Sequence, residues 1–191
     1  MSEIQVNTIN EYTGANGVTI DGVLLKDNKL ASGTGNVLQV VQNTLTTTVT
    51  TTAENSGMVD TGLSQAITPS STSSKILVLV NIGQVSWNAD TVWSIGLKRG
   101  TTDIGVGDAS GNRIRIHAGG GLRDNASWQG QVITGMFLDS PATTSETTYK
   151  VQFGGNGVAT IYINRSERDH EASGDNDQRA MSSLTLMEIG G

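Results

Sequence analysis

The stretch KILVLVNIG, residues 75 to 83, limits the possible folds more than any other part of the chain. Ile76, Val78, Val80 and Ile82 recur at period two, the spacing that lines one face of a β-strand. Leu77 and Leu79 add apolar groups on the other face, the pattern of an interior strand in a packed β layer or of an oligomer interface. After Gly83 the alternation changes phase and passes to Val85 and Trp87, which a β-bulge near Gly83 explains. Asn88, Ala89 and Asp90 read as a turn, and Trp93, Ile95 and Leu97 as a return strand, so a hairpin is expected here.

The same period recurs along the chain. Val37, Gln39, Val41, Asn43, Leu45, Thr47 and Val49 form one face of residues 37–52, whose β-branched side chains disfavour helix. One or two strands are expected there, with any break near Gln42 and Asn43. Further strands are predicted at 130–138, 147–153, 159–164 and 183–189. Tyr149, Val151 and Phe153 alternate with Thr148, Lys150 and Gln152, marking a strand with one wet face. Gly154-Gly155-Asn156-Gly157 reads as the turn of a hairpin to Ile161 and Ile163. Seven or eight short strands, glycine turns and no alternating helices describe an all-β fold, an antiparallel β-sandwich or jelly roll.

Two stretches interrupt this rhythm. Residues 99–128 are rich in glycine, with only Ile114 and Ile116 hinting at a strand, and residues 165–182 are charged with almost no apolar anchors. Loops this long in a compact domain usually carry function or are disordered. Residues 1–35 form a separate, extended segment ahead of the sandwich at 36–191. Ile4, Val6, Ile9, Val18, Ile20, Val23 and Leu24 are spread there among Asn, Thr and Gly. That is too little apolar mass for a core, since ordering each backbone residue costs roughly 1–2 kcal/mol. The segment is therefore either a flexible tail or an oligomerising or docking element that buries its apolar stripe against other copies.

Charge narrows the partners. The formal net charge is −6, which argues against nucleic acid as a ligand. Only 16% of residues are charged, below the roughly 25% of soluble domains, so Thr, Ser, Asn, Gln and Gly must build much of the surface. No cysteine is present, which removes disulfides and thiolate chemistry. Glu3, Gln5 and Asn7 break any apolar run after Met1, so no secretory signal is expected. No stretch approaches the 18 or so apolar residues of a membrane span, and no membrane insertion is expected.

Few residues point to catalysis. His117 and His170 each sit in a long loop with acids nearby, and His170 is followed by Glu171, Asp175 and Asp177. Such carboxylates suit a calcium-like cation, but the glycine and glutamate offsets of an EF-hand are missing. The segment reads as a solvated charged loop, without a metal. Asp103, Asp108, Asp124, Asp139 and Asp169 are scattered, and no pair stands out as the two carboxylates of a glycosidase. The run GVGDASG lacks the Gly-Lys-Ser/Thr ending of a phosphate loop. No catalytic residue or cofactor is expected, and the chain reads as a non-enzyme. Arg113, Arg115 and Arg123 make a small basic cluster with Trp128 nearby. This set would hold a polar or anionic partner such as a glycan, or would pair with acids of a neighbouring subunit. Trp87 and Trp93 continue strand alternation and belong to the core on this reading.

The string VNTINEYTGANGVTIDGVLLKD, residues 6 to 27, closely resembles a linking segment found in structural proteins of tailed bacteriophages, especially marine ones. The pattern TPSSTSSKILVLV with a closing SLTLMEI is similar, less specifically, to the β-sandwich that ends such proteins. The resemblance implies a homotrimer on the virion surface, tail or capsid, held to other virion proteins through Ile4, Val6, Ile9, Val18, Ile20, Val23 and Leu24. It implies binding to a host-surface glycan or protein, as a short tail fibre or spike, or else a capsid decoration or head-fibre role. A capsule depolymerase is a third reading of the same resemblance. One copy of the linking element and no long shaft favour a short knob or spike.

Overall fold

The computed structural model describes the backbone of residues 18–20, 23–26 and 29–30, and side chains as well for 35–121, 129–171 and 177–191. Within 18–30, β1 (Val18–Ile20), β2 (Val23–Lys26) and β3 (Lys29–Leu30) form an antiparallel meander, with Val18 opposite Leu25 and Leu25 opposite Leu30. Ile4, Val6 and Ile9 lie outside the described residues. Val18, Ile20, Val23 and Leu24 lie on this meander.

The body is a β-sandwich. Its large sheet contains β4 (Val37–Leu45), β5 (Val49–Thr51), β7 (Lys75–Trp87), β11 (Gln131–Asp139), β13 (Ile161–Ile163) and β14 (Ser182–Ile189). Its small sheet contains β6 (Val59–Ile67), β8 (Trp93–Arg99), β9 (Thr102–Ile104), β10 (Ala118–Gly120) and β12 (Thr147–Gly155). These strands pair with one another antiparallel throughout the two sheets.

Strand β7 organises the large sheet. One edge pairs with β11, and the other pairs with β14 over its first half and β13 over its second. The expected bulge is present: Gln131 lies opposite Val85 while Ile133 lies opposite Ile82, so β7 carries one extra residue at Gly83–Gln84. Ile76, Val78, Val80 and Ile82 are buried before it and Val85 after it. Glycine is needed at 83, because a Cβ there would come 2.3 Å from the carbonyl oxygen of Met181.

The core lies between the sheets. Val78, Ile82, Leu184 and Leu186 of the large sheet meet Leu63, Trp93, Ile95, Tyr149, Val151 and Phe153 of the small one. Burying each such aliphatic side chain contributes about 1.5–3 kcal/mol.

Polar groups also tie the layers. Arg99 donates from Nη1 to both carboxylate oxygens of Asp139, at 2.9 and 2.8 Å, and the Tyr149 hydroxyl donates to Oδ2 at 2.7 Å. Burial first, and then the Asp139 carboxylate, push the Tyr149 hydroxyl far above its ordinary range. Glu188, buried on β14, accepts from Ser70 N, Ser70 Oγ and Gln39 Nε2, each at 2.6 Å. Burial alone would raise its carboxyl, but these donors outweigh it and hold the group below the usual carboxylate range.

Several expectations are corrected. Residues 37–51 form two strands, but the break falls at 46–48 rather than near Gln42 and Asn43. Neither predicted hairpin forms: β7 and β8 lie in different sheets, as do β12 and β13, so both connections cross the sandwich. Leu77 and Leu79 are only half-buried, on the outer face of the large sheet. Ile114 and Ile116 are not in a strand, whereas β6, β9 and β10 arise where none was expected.

Candidate functional site

Among the described residues, clefts open on both sheets, and two of them gather polar side chains from distant segments. The first lies on the outer face of the small sheet. Period two buries Leu97 and Val151 and turns Lys98, Lys150 and Gln152 outward. Two glycines of this face, Gly96 and Gly154, let the segment around Met58 lie against the sheet. A Cβ at Gly96 would stand 2.9 Å from Met58 Cε, and one at Gly154 would stand 3.0 Å from Glu54 O. Residues 105–117 arch beside it, so that Met58, Lys98, Asp103, Val106, Arg113, Ile114, Arg115 and Gln152 line a depression of about 380 Å³.

Arg113 donates to Ser110 Oγ at 2.7 Å and Arg115 to Gly107 O at 2.6 Å, which fixes both side chains to their own loop. Lys98 meets Asp103 at 2.6 Å. Three cations thus face one carboxylate inside the depression. Beside it, Asp60 bonds Lys150 at 2.9 Å; burial raises its carboxyl, but Lys150 and Gln152 outweigh that and lower it. The predicted pair Arg113 and Arg115 is therefore brought together, on a surface suited to a polar or anionic group. Arg123 and Trp128 fall outside the described residues.

His117 belongs to neither cleft. Its Nδ1 lies 3.0 Å from Gly105 O, and its ring packs on Gly135, where a Cβ would come 2.2 Å from Nε2. The imidazole fills the gap between the 105–117 loop and β11.

The second cleft, about 470 Å³, crosses β7 at its bulge. Residues 129–132 border it on the β11 side and 178–180 on the β14 side, with Gly83, Gln84 and Trp87 between them. Trp93 is in the core as expected, but Trp87 is half-buried and also lines this cleft. Sequence reading missed the cleft because its polar members, four glutamines and Arg179, come from three distant segments. The phase change after Gly83 is the one signal that points toward it.

The described residues of the charged loop, 165–171 and 177–181, form an ion-pair lattice. Asp169 meets Arg179 at 2.8 Å and Arg165 at 3.3 Å, and Asp177 meets Arg168 at 2.6 Å and accepts from Ser166 Oγ at 2.6 Å. Arg168 and Ser166 hold the Asp177 carboxyl below its usual range. These carboxylates face guanidinium groups, and no group of three His, Cys, Asp or Glu suited to a metal occurs among the described residues. Asn164, with φ of 64°, closes the gap where this loop leaves the sheet. It donates to Leu45 O and Thr47 O and accepts from Ser182 Oγ at 2.6 Å.

No protein-family model matches the chain, and no curated protein matches it.

Proposed function

We propose that this chain is a virion surface protein of a tailed bacteriophage, a short trimeric tail fibre or spike that binds the host surface. The observation that carries this reading is the outer face of the large sheet. Leu138, Leu77, Met187 and Val40 lie side by side across four strands, with Met136 and Leu79 beside them. Met136 is 72% exposed, Val40 53% and Leu138 47%. Apart from Lys75 at the rim, the outward positions of β4, β14, β7 and β11 carry no charge: they are Val, Leu, Met, Ile, Thr, Ser, Asn and Gln.

An exposed apolar patch of this kind marks an association surface. Second and third copies of the chain cover it on this reading, in keeping with the trimer that the resemblance of residues 6–27 implies. The clefts on the rest of the sandwich stay open for a host ligand, and the amino-terminal segment docks on other virion proteins. Light scattering at micromolar concentration tests the assembly. A trimer that Met136→Glu with Leu79→Glu converts to a folded monomer supports the reading, and a wild-type monomer overturns it. A wild-type monomer that joins purified phage heads favours the capsid decoration role instead.

A further inference from the structure

Two lysines stand directly opposite each other in the middle of the small sheet. Lys98 on β8 is the cross-strand partner of Lys150 on β12. Both point to the outer face, since Leu97, Tyr149 and Val151 beside them are buried in the core. Like charges placed opposite in this way destabilise a sheet. Acids on the two flanking strands offset the cost: Lys98 meets Asp103 of β9 at 2.6 Å, and Lys150 meets Asp60 of β6 at 2.9 Å. Across β9, β8, β12 and β6 the charges therefore run negative, positive, positive, negative. Each ammonium leans toward its own acid and away from the other lysine, which leaves a gap between two cations. A local conflict of this kind, with no gain for the fold, is a feature of functional positions.

The surroundings select what the gap would hold. One depression, of about 380 Å³, lies on the Lys98 side and another, of about 310 Å³, on the Lys150 side, both within the range of small-molecule sites. Among the described residues lining the two, Lys98, Lys150, Arg113 and Arg115 face only Asp60 and Asp103. Glu54 lines neither, and its side chain lies against Gly157. The whole chain carries −6, so this positive excess is local. Arg113 and Arg115 bond within their own loop through Nη1 and Nε, and a guanidinium has five N–H donors, so both keep donors for a ligand. Gln152 and Ser56 add a carboxamide and a hydroxyl, and Met58, Val106 and Ile114 add apolar surface, a mixture suited to the hydroxyls and the C–H face of a sugar ring. We propose that this face binds an acidic polysaccharide, with one carboxylate or sulfate seated between Lys98 and Lys150 and a neighbouring one held by Arg113 and Arg115. This assignment, which rests on the reading of the chain as a host-surface binder, gives that reading a ligand class and a site.

The test measures binding of the full chain to fluorescein-labelled polygalacturonate, dextran sulfate, neutral dextran and polyphosphate. The expected result is binding to polygalacturonate, to dextran sulfate or to both, weakening as salt rises, and none to neutral dextran. The arm that binds tells carboxylate from sulfate. Lys98→Gln with Lys150→Gln should weaken the binding about tenfold or more, the equivalent of about 1.4 kcal/mol. The melting temperature should change little, because exposed ion pairs contribute little to stability. Arg113→Ala with Arg115→Ala, in the loop rather than the sheet, should weaken it too, whereas Lys75→Gln at the rim of the large sheet should not. Binding to neither acidic polysaccharide overturns the proposal, as does wild-type affinity in either double variant. Neutral dextran or polyphosphate bound as tightly as the better acidic polysaccharide also overturns it. Adsorption of the labelled protein to a panel of bacterial cells separates the two readings. Adsorption that the lysine double variant leaves intact overturns the polysaccharide site and spares the host-surface reading. Polysaccharide binding without adsorption to any cell supports the site and counts against the host-surface reading.

Discussion

The two outer faces of the sandwich differ in almost every respect. The large sheet presents a broad uncharged surface with Val40, Leu77, Leu79, Met136, Leu138 and Met187 grouped at one end. The small sheet presents Lys98, Lys150, Gln152, Asp60 and Asp103, with its glycine positions roofed by Met58 and its flank covered by the 105–117 loop. Both faces obey the same alternation, and both back onto the same core. What differs is the treatment of the outward positions: one sheet keeps them apolar and open, the other makes them polar or covers them from within the chain. An open apolar face calls for a partner molecule, whereas a face covered by its own chain does not.

Charge placed on each face sharpens the contrast, and the largest effect belongs to assembly. Met136→Glu with Leu79→Glu is expected to reduce the particle mass threefold in light scattering, from trimer to monomer, because desolvating two carboxylates in an apolar contact is far costlier than the contact is worth. Thr148→Glu, on the exposed face of the small sheet, should leave the mass unchanged. Equal behaviour of the two variants would end the distinction between the faces.

Stability gives the next largest difference. Gly154→Val drives a side chain into the segment at Glu54 and Met58 and should cost about 1–3 kcal/mol in urea melts. Thr185→Val on the open face should stay within about 0.5 kcal/mol. A tolerated valine at 154 would mean that the roof over the small sheet is not fixed by close packing.

Acid should act through Glu188. Its folded-state carboxyl is held below the ordinary value of about 4.3, so the stabilisation is complete above that value and is lost as pH falls through the lower folded one. Glu188→Gln should cost about 1–2 kcal/mol at neutral pH, and its melting temperature should then fall less steeply on acidification than that of the wild type. Parallel pH profiles would remove Glu188 from the acid response.

The smallest change in stability is expected from Arg113→Ala with Arg115→Ala. Both are exposed loop residues, and the melting free energy should shift by no more than about 0.5 kcal/mol. Binding to dextran sulfate should nonetheless weaken and lose part of its salt dependence. Undiminished binding would show that the depression on the small sheet does not hold anions.

Much of this contrast was legible in the residues, and the reasons for the gaps are particular. The bulge at Gly83 could be read because Val85 resumes the apolar phase within two residues. Strand β6 could not: Thr61, Leu63 and Ile67 are buried at even spacing, but Thr61 is polar and Gln65 stands between Leu63 and Ile67, so too few apolar residues mark the alternation. The turns at 88–90 and 154–157 were identified, but a turn signal states that the chain reverses or bends, not which sheet it enters next. Arg113 and Arg115 were found because charge clusters in sequence. The cleft across β7 carries no such mark, because its lining comes from β7, from the start of β11 and from the loop before β14.

By itself the sequence determined the class of the fold and, for most strands, which side chains face inward, since a period of two is a local property of neighbouring residues. It also determined that acidic charge is spread thinly and that threonine, serine and glycine would make much of the surface. Only the tertiary structure decided which sheet each strand joins, where the two clefts open and which apolar face remains uncovered. Those outcomes depend on hydrogen bonds and packing between residues far apart along the chain, such as Gln131 with Val85 or Asn164 with Leu45, and no local pattern records them.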